Sequence, residues 1–237
     1  MFTKLKQWFK PTSKPTSPQK ASNSKVSTRP NAPKEAKARS IEASRIGELG
    51  EYKINIQLDQ LPKETKYISD IMIPNPKSQT RYSQIDHVVI SPYGLFVIET
   101  KNYNGEIKGT RSDKYWRVSN RFNMYNPLRQ NYGHMKALEL VLHGFPGLTY
   151  ISMISFTLRC RFSIDPDLRK IESNELIVYD TELSEFIDRK MNRLRQTSAT
   201  PLLTTDQIQK IYDSIANANI QDAALRAAHI GKIKQSH

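Results

Sequence analysis

The sequence predicts an α/β fold: a mixed β-sheet flanked by helices, with a disordered tail before it and a helical extension after it. Three observations carry this. Gln84–Tyr103 reads QIDHVVISPYGLFVIETKNY, two apolar runs joined by a turn. Strand-like and helix-like segments alternate from Ala36 to Asp180, in the order αβββαβ followed by a further strand. Composition changes at Ser40: the first 40 residues hold five of the 13 prolines and ten Lys or Arg against Glu35 alone, a net +9. The remaining 197 residues hold 26 basic and 22 acidic groups, a net +4.

Met1–Ser40 is rich in Pro, Ser, Thr, Lys and Ala and reads as disordered, because it cannot bury enough apolar surface to offset ordering. Its first residues differ. Phe2, Leu5, Trp8 and Phe9 share one helical face flanked by Lys4, Lys6 and Lys10, the pattern of an interfacial membrane anchor. An unstructured basic end is the preferred alternative. Ala36–Lys53 has helical composition, with Gly47 and Gly50 allowing close approach to a sheet. Tyr67–Pro74 is the first strand, and Pro74–Tyr82 a polar, basic loop. After the hairpin, a strand is expected around Tyr115–Val118. A helix follows from Asn126 as N-cap and Pro127 as first helical residue to about His143, before Gly144 and Pro146. Tyr150–Ser163 and Glu175–Tyr179 read as strands. Asp180–Leu194, Thr205–Asn217 (with Thr205 as N-cap) and the basic Ile220–Ile233 read as helices. The domains are then the tail 1–40, a domain over 41–180, and an extension over 181–237 packed on it.

In the hairpin, Val88–Ile90 and Leu95–Ile98 flank Ser91-Pro92-Tyr93-Gly94, with turn chemistry at Pro92 and Gly94. Both runs are nearly continuous in β-branched and aromatic residues, so both faces are expected to be buried. Asp86, Glu99 and Lys101 interrupt that core, and an unpaired buried charge costs several kcal/mol or more. Glu99 and Lys101 are two apart and share a face. If Ser91 pairs with Gly94, the register sets Asp86 opposite Glu99, with Cβ atoms about 4.5–5.5 Å apart. That suits a hard divalent cation such as Mg²⁺. A three-residue loop with a bulge at Gly94 would instead set Asp86 opposite Thr100.

Asp86…Glu99-Thr100-Lys101 resembles the D…(D/E)xK core of restriction-endonuclease-like nucleases. The fuller pattern resembles NERD, the nuclease-related domain family of bacteria. The matching stretches are Gly47–Glu51, Gln84–His87, Gly94–Asn102 and Asn126–Gln130, in family order, within about Ser44–Asp180. The resemblance implies a restriction-endonuclease-like sheet and metal-dependent hydrolysis of nucleic acid, with DNA favoured over RNA. Asp86, Glu99 and the Thr100 carbonyl would hold Mg²⁺ or Mn²⁺. Lys101 would orient the attacking water or stabilise developing charge. Glu51 would be a further ligand or a partner for Lys101, and Gln130 would hydrogen-bond the water, the lysine or a phosphate.

Other residues are weighed against plainer roles. Arg111, Lys114 and Trp116, with Tyr103 and Tyr115, mix basic and aromatic groups and are candidates for nucleic-acid contact; an amphipathic edge strand is the alternative. His87 follows Asp86 and is expected as a core histidine on the opposite face. His134 shares a helix face with Gln130, which puts it within reach of the site, and packing or exposure is the preferred expectation. Cys160, the one cysteine, excludes an internal disulfide framework and fits a reducing cytoplasm. No apolar run reaches membrane-span length, and no secretory signal is read. No Walker A loop, zinc cluster, Ser-His-Asp order or dinucleotide fingerprint occurs, and no small-molecule cofactor is expected. The expected partners are nucleic acid and, through the tail, an anionic membrane surface on the cytoplasmic side. The rival reading is a non-catalytic nucleic-acid-binding or membrane-tethered module that keeps the fold.

Overall fold

The computed structural model describes residues 50, 52–198 and 200–235. The tail Met1–Ser40, most of the helix expected over Ala36–Lys53, and Glu51 lie outside the described residues. A first helix, α1, covers 52–58. The strands that follow are β1 (Lys66–Pro74), β2 (Tyr82–Ser91), β3 (Gly94–Lys101), β4 (Gly105–Gly109), β5 (Tyr115–Val118) and β6 (Phe122–Tyr125). Then come α2 (Pro127–Val141), β7 (Tyr150–Phe156), β8 (Cys160–Ile164), β9 (Glu175–Tyr179), α3 (Leu183–Thr197), α4 (Thr205–Ala218) and α5 (Ala223–Gln235).

The main sheet runs β1-β2-β3-β7-β9, antiparallel through β3 and parallel beyond it. Its strands are apolar on both faces because helices cover both. On one face Val88, Ile90, Leu95 and Val97 pack under Ala137 and Leu138 of α2 and Ile208, Ile211 and Ile215 of α4. On the other, Val89, Phe96 and Ile98 meet Ile54 and Leu58 of α1 and Phe186 and Ile187 of α3. The last helices therefore supply core residues to both layers.

The hairpin takes the register with Ser91 opposite Gly94, continuing to His87 opposite Ile98. The turn is held by the Ser91 hydroxyl donating to Gly94 O at 2.8 Å. In β1, Asp70 has φ 51° and disturbs the alternation, so Ile68 and Ile71 both pack in one core. Ile85 and Val88 of β2 do the same, with Asp86 and His87 between them.

A second sheet, β6-β5-β4-β8, was not expected. The reading of Tyr150–Ser163 as one strand is corrected: the chain breaks at Thr157–Arg159 and passes from β7 into this second sheet as β8. Lys101–Gly105 makes the same crossing from β3 to β4, and Thr157 N–H bonds Lys101 O at 3.2 Å where the crossings meet. Ile107, Trp116, Val118 and Met124 join the second sheet to Leu128, Ile154 and Phe156. Gly109 is required there, since a Cβ would stand 2.3 Å from the Trp116 ring. The N-cap of α4 is Thr204 rather than Thr205, because Gln207 three residues on completes a capping box with it.

Candidate active site

The ladder between β2 and β3 stops at His87–Ile98, one pair before Asp86 and Glu99. Beyond it the Asp86 carboxylate replaces the strand as partner. Its Oδ2 accepts the Thr100 N–H at 2.7 Å and the Thr100 hydroxyl at 2.5 Å. On its other edge β3 stays paired to β7 through Lys101–Phe156. Glu99 and Lys101 are thus held on a rigid strand whose free edge Asp86 fills.

Helix α2 brings the remaining groups. Asn126, fully buried, caps it by accepting the Leu128 N–H at 2.9 Å. Its amide donates back to Asp113 O at 2.7 Å and Arg111 O at 3.2 Å, anchoring the helix start. Asn131 donates to Val97 O and to the Ser152 hydroxyl, both at 2.8 Å, pinning α2 across β3 and β7. Gln130 and His134, one turn apart, then point at Glu99. Gln130 Nε2 donates to Glu99 Oε1 at 2.7 Å. Lys101 Nζ donates to Glu99 Oε1 at 2.7 Å and to Gln130 Oε1 at 2.9 Å. His134 Nε2 approaches Glu99 Oε2 to 3.2 Å.

The charges are unbalanced. Burial opposes the Glu99 carboxylate, but Lys101 and His134 together hold it down at about 2. Burial also opposes the Lys101 ammonium, yet Glu99 keeps it above its ordinary value. Asp86 is pushed up to about 7, first by burial and then by the Glu99 charge, against the pull of its Thr100 bonds. One lysine therefore serves two carboxylates. Each carboxylate also keeps an oxygen open to a further partner: Asp86 Oδ1 has no hydrogen bond from the described residues, and Glu99 Oε2 faces only the His134 ring, at 3.2 Å. Two hard oxygens in a site short of positive charge fit a divalent cation.

The family model for the nuclease-related domain, NERD, matches residues 46–157, which include this whole cluster. An uncharacterized protein of Bacillus anthracis is 30% identical over 190 residues, covering 78% of this chain and 82% of that protein. The chain belongs to the NERD family. No solved structure matches it.

For the NERD residues, Asp86, Glu99, Lys101 and Gln130 come together, with the Thr100 N–H and hydroxyl bonded to Asp86; Glu51 lies outside the described residues. Asn131 was missed as a site-building residue, and His134, placed on the Gln130 face but expected to pack or be exposed, reaches Glu99. The one signal for His134 was its spacing from Gln130; for Asn131 none distinguished it from a surface polar residue. His87 is buried on the α1 face as expected, its Nδ1 2.9 Å from the Ser69 hydroxyl, and burial lowers it to about 4. The nucleic-acid expectations need correction. Trp116 is fully buried, with its indole N–H donated to Thr110 O at 2.8 Å, so it has no face for stacking. Arg111 is neutralised by Asp165 and by Glu175, at 2.9 Å from the latter. Lys114 remains exposed, over the Tyr115 ring. Among the described residues no helix is long and apolar enough to cross a membrane.

Proposed function

We propose that this NERD domain hydrolyses phosphodiester bonds in nucleic acid with Mg²⁺ or Mn²⁺, DNA being the favoured substrate. The observation that carries the reading is the pair Asp86 and Glu99, one step beyond the last β2–β3 pair, with Asp86 Oδ1 unbonded by the described residues and Glu99 Oε2 facing only the His134 ring, beside the Lys101 ammonium. Asp86, Glu99 and the Thr100 carbonyl would hold the cation. Bound there, it supplies Lewis acidity toward a phosphate oxygen and lowers the proton affinity of water. Lys101 keeps its proton and offers a fixed positive charge to a phosphate or an N–H to the attacking water. Gln130 holds Lys101 and Glu99 in one orientation, and His134 supports Glu99 from the far side.

The test is incubation with labelled single- and double-stranded DNA and RNA in Mg²⁺, Mn²⁺ or EDTA. Asp86→Ala and Glu99→Ala should abolish metal-dependent cleavage, and Lys101→Ala should lower it by about 10²–10³-fold, with the fold retained. Cleavage that persists in EDTA, or is unaltered in all three variants, sinks the mechanism. Glu51 is proposed as a further contributor, tested by Glu51→Gln in the same assay.

A further inference from the structure

The second sheet has a solvent face that the cluster at Glu99 does not use. Along β4, β5 and β8, Lys108, Arg117 and Arg161 point outward while Ile107, Trp116 and Val118 point inward. None of the three cations has a side-chain hydrogen bond or ion pair among the described residues. Lys108 and Arg117 are direct cross-strand partners. Like charges in that position destabilise a sheet, so the fold alone gives no reason for them. On the same face, Tyr115 and Tyr125 are cross-strand partners, 49% and 37% exposed, with ring centroids 6.0 Å apart at an interplanar angle of 73°. Lys114 lies over the Tyr115 ring at 5.3 Å. A groove of about 580 Å³ runs beside them, bordered by Lys108, Tyr115, Arg117 and Ser163. The acidic groups nearby are Glu106, Asp113 and Asp165, and Asp165 is already paired with Arg111.

We propose that this face holds an unpaired nucleic-acid strand. Unpartnered cations meet the phosphates, and the exposed rings offer stacking planes that paired bases do not present their faces to. The second sheet also links β3, which carries Glu99 and Lys101, to α2, which carries Gln130 and His134, so the strand would be held by the segment that joins the two halves of the cluster. The identification of this strand as the one to be cut rests on the function proposed above; the binding itself does not.

The experiment measures binding of a short fluorescein-labelled oligothymidylate, and of a matched duplex, by anisotropy in EDTA. It uses the full chain, whose basic tail contributes the same background to every variant. Tyr115→Ala with Tyr125→Ala should weaken single-strand binding about tenfold or more and leave duplex binding nearly unchanged. Tyr115→Phe with Tyr125→Phe should keep the binding. Lys108→Gln with Arg117→Gln should also weaken it, reduce the salt slope by about 1.4, and leave the thermal midpoint unchanged or higher. Unchanged single-strand affinity in the Ala and Gln pairs overturns the proposal, as does equal loss of duplex binding. If the Ala pair does not fold, the Phe and Gln pairs decide. A wild-type chain that binds the oligonucleotide but cuts nothing removes the nuclease reading and leaves this one. Cleavage indifferent to all these variants, with binding unchanged, does the reverse.

Discussion

Asp86 is the residue at which function and stability pull apart. Its carboxyl sits at about 7 against an ordinary 3.8, because burial and the Glu99 charge both favour the protonated form. A carboxyl raised in the fold contributes stability that is complete below its unfolded value and is lost as pH rises through its folded value. The metal-free protein should therefore lose this contribution between about pH 4 and 7. Asp86→Asn keeps an oxygen to accept from Thr100 and removes the charge. At pH 8 in EDTA it should be more stable than wild type by roughly 1–4 kcal/mol, the gap closing toward pH 5, while cleavage is lost. Urea melts at the two pH values check this, and a variant less stable than wild type at pH 8 would contradict the charge imbalance. Asp86 and Glu99 were legible because the hairpin turn set their register. The Thr100 bond to Asp86 was not, since it depends on β2 leaving β3 one pair early.

At the level of elements, α2 is held by its first turn. Asn126 satisfies Leu128 N–H and donates its amide to Arg111 and Asp113 carbonyls while fully buried. Asn126→Ala removes the cap, about 1 kcal/mol, and strands buried carbonyls at about 1–3 kcal/mol more. A loss of about 2–4 kcal/mol in denaturant melts is expected, with weaker cleavage because Gln130 and His134 ride on the same helix. A loss below about 1 kcal/mol would show that the loop relaxes around the gap. Asn126 and Pro127 announced this helix from sequence, and the continuous apolar runs announced the central strands. The second sheet stayed hidden for physical reasons. Its β4 reads GEIKG and β6 FNMY, too short and too polar for a period to emerge. β7 and β8 read as one run because three residues, Thr157–Arg159, suffice to carry the chain between sheets. Trp116 looked like a surface ring from its basic neighbours, yet strand alternation puts it inward against Gly109.

Across the whole molecule, the core extends well beyond the stretch that carries the motif. Ile211 of α4 is fully buried against strands that include β2 and β3. Ile211→Ala should cost about 2–5 kcal/mol, and the loss should appear in the same unfolding transition that the β3 signal reports. An independent, early transition would mean that α4 is an appendage. The tail acts on another axis. With +9 in its first 40 residues, its deletion should weaken nucleic-acid binding and flatten its salt dependence while metal-dependent turnover persists. Vesicle flotation of the full chain beside Trp8→Ala tests the membrane alternative; flotation that requires Trp8, with nucleic-acid affinity unchanged by deletion, would assign the tail to lipid. The crossing from β3 into the second sheet also sets a timetable. Glu99 and Lys101 leave the ribosome before Gln130 and His134, and the parallel partner β7 follows later still. The β2–β3 hairpin closes on a scale of about 1–10 μs, but the remaining contacts wait for the chain to arrive. A nascent chain therefore carries its acidic pair without the helix that orients it. Under the function proposed above, a chain stalled before α2 emerges would carry no oriented Glu99–Lys101 pair and so no cutting centre.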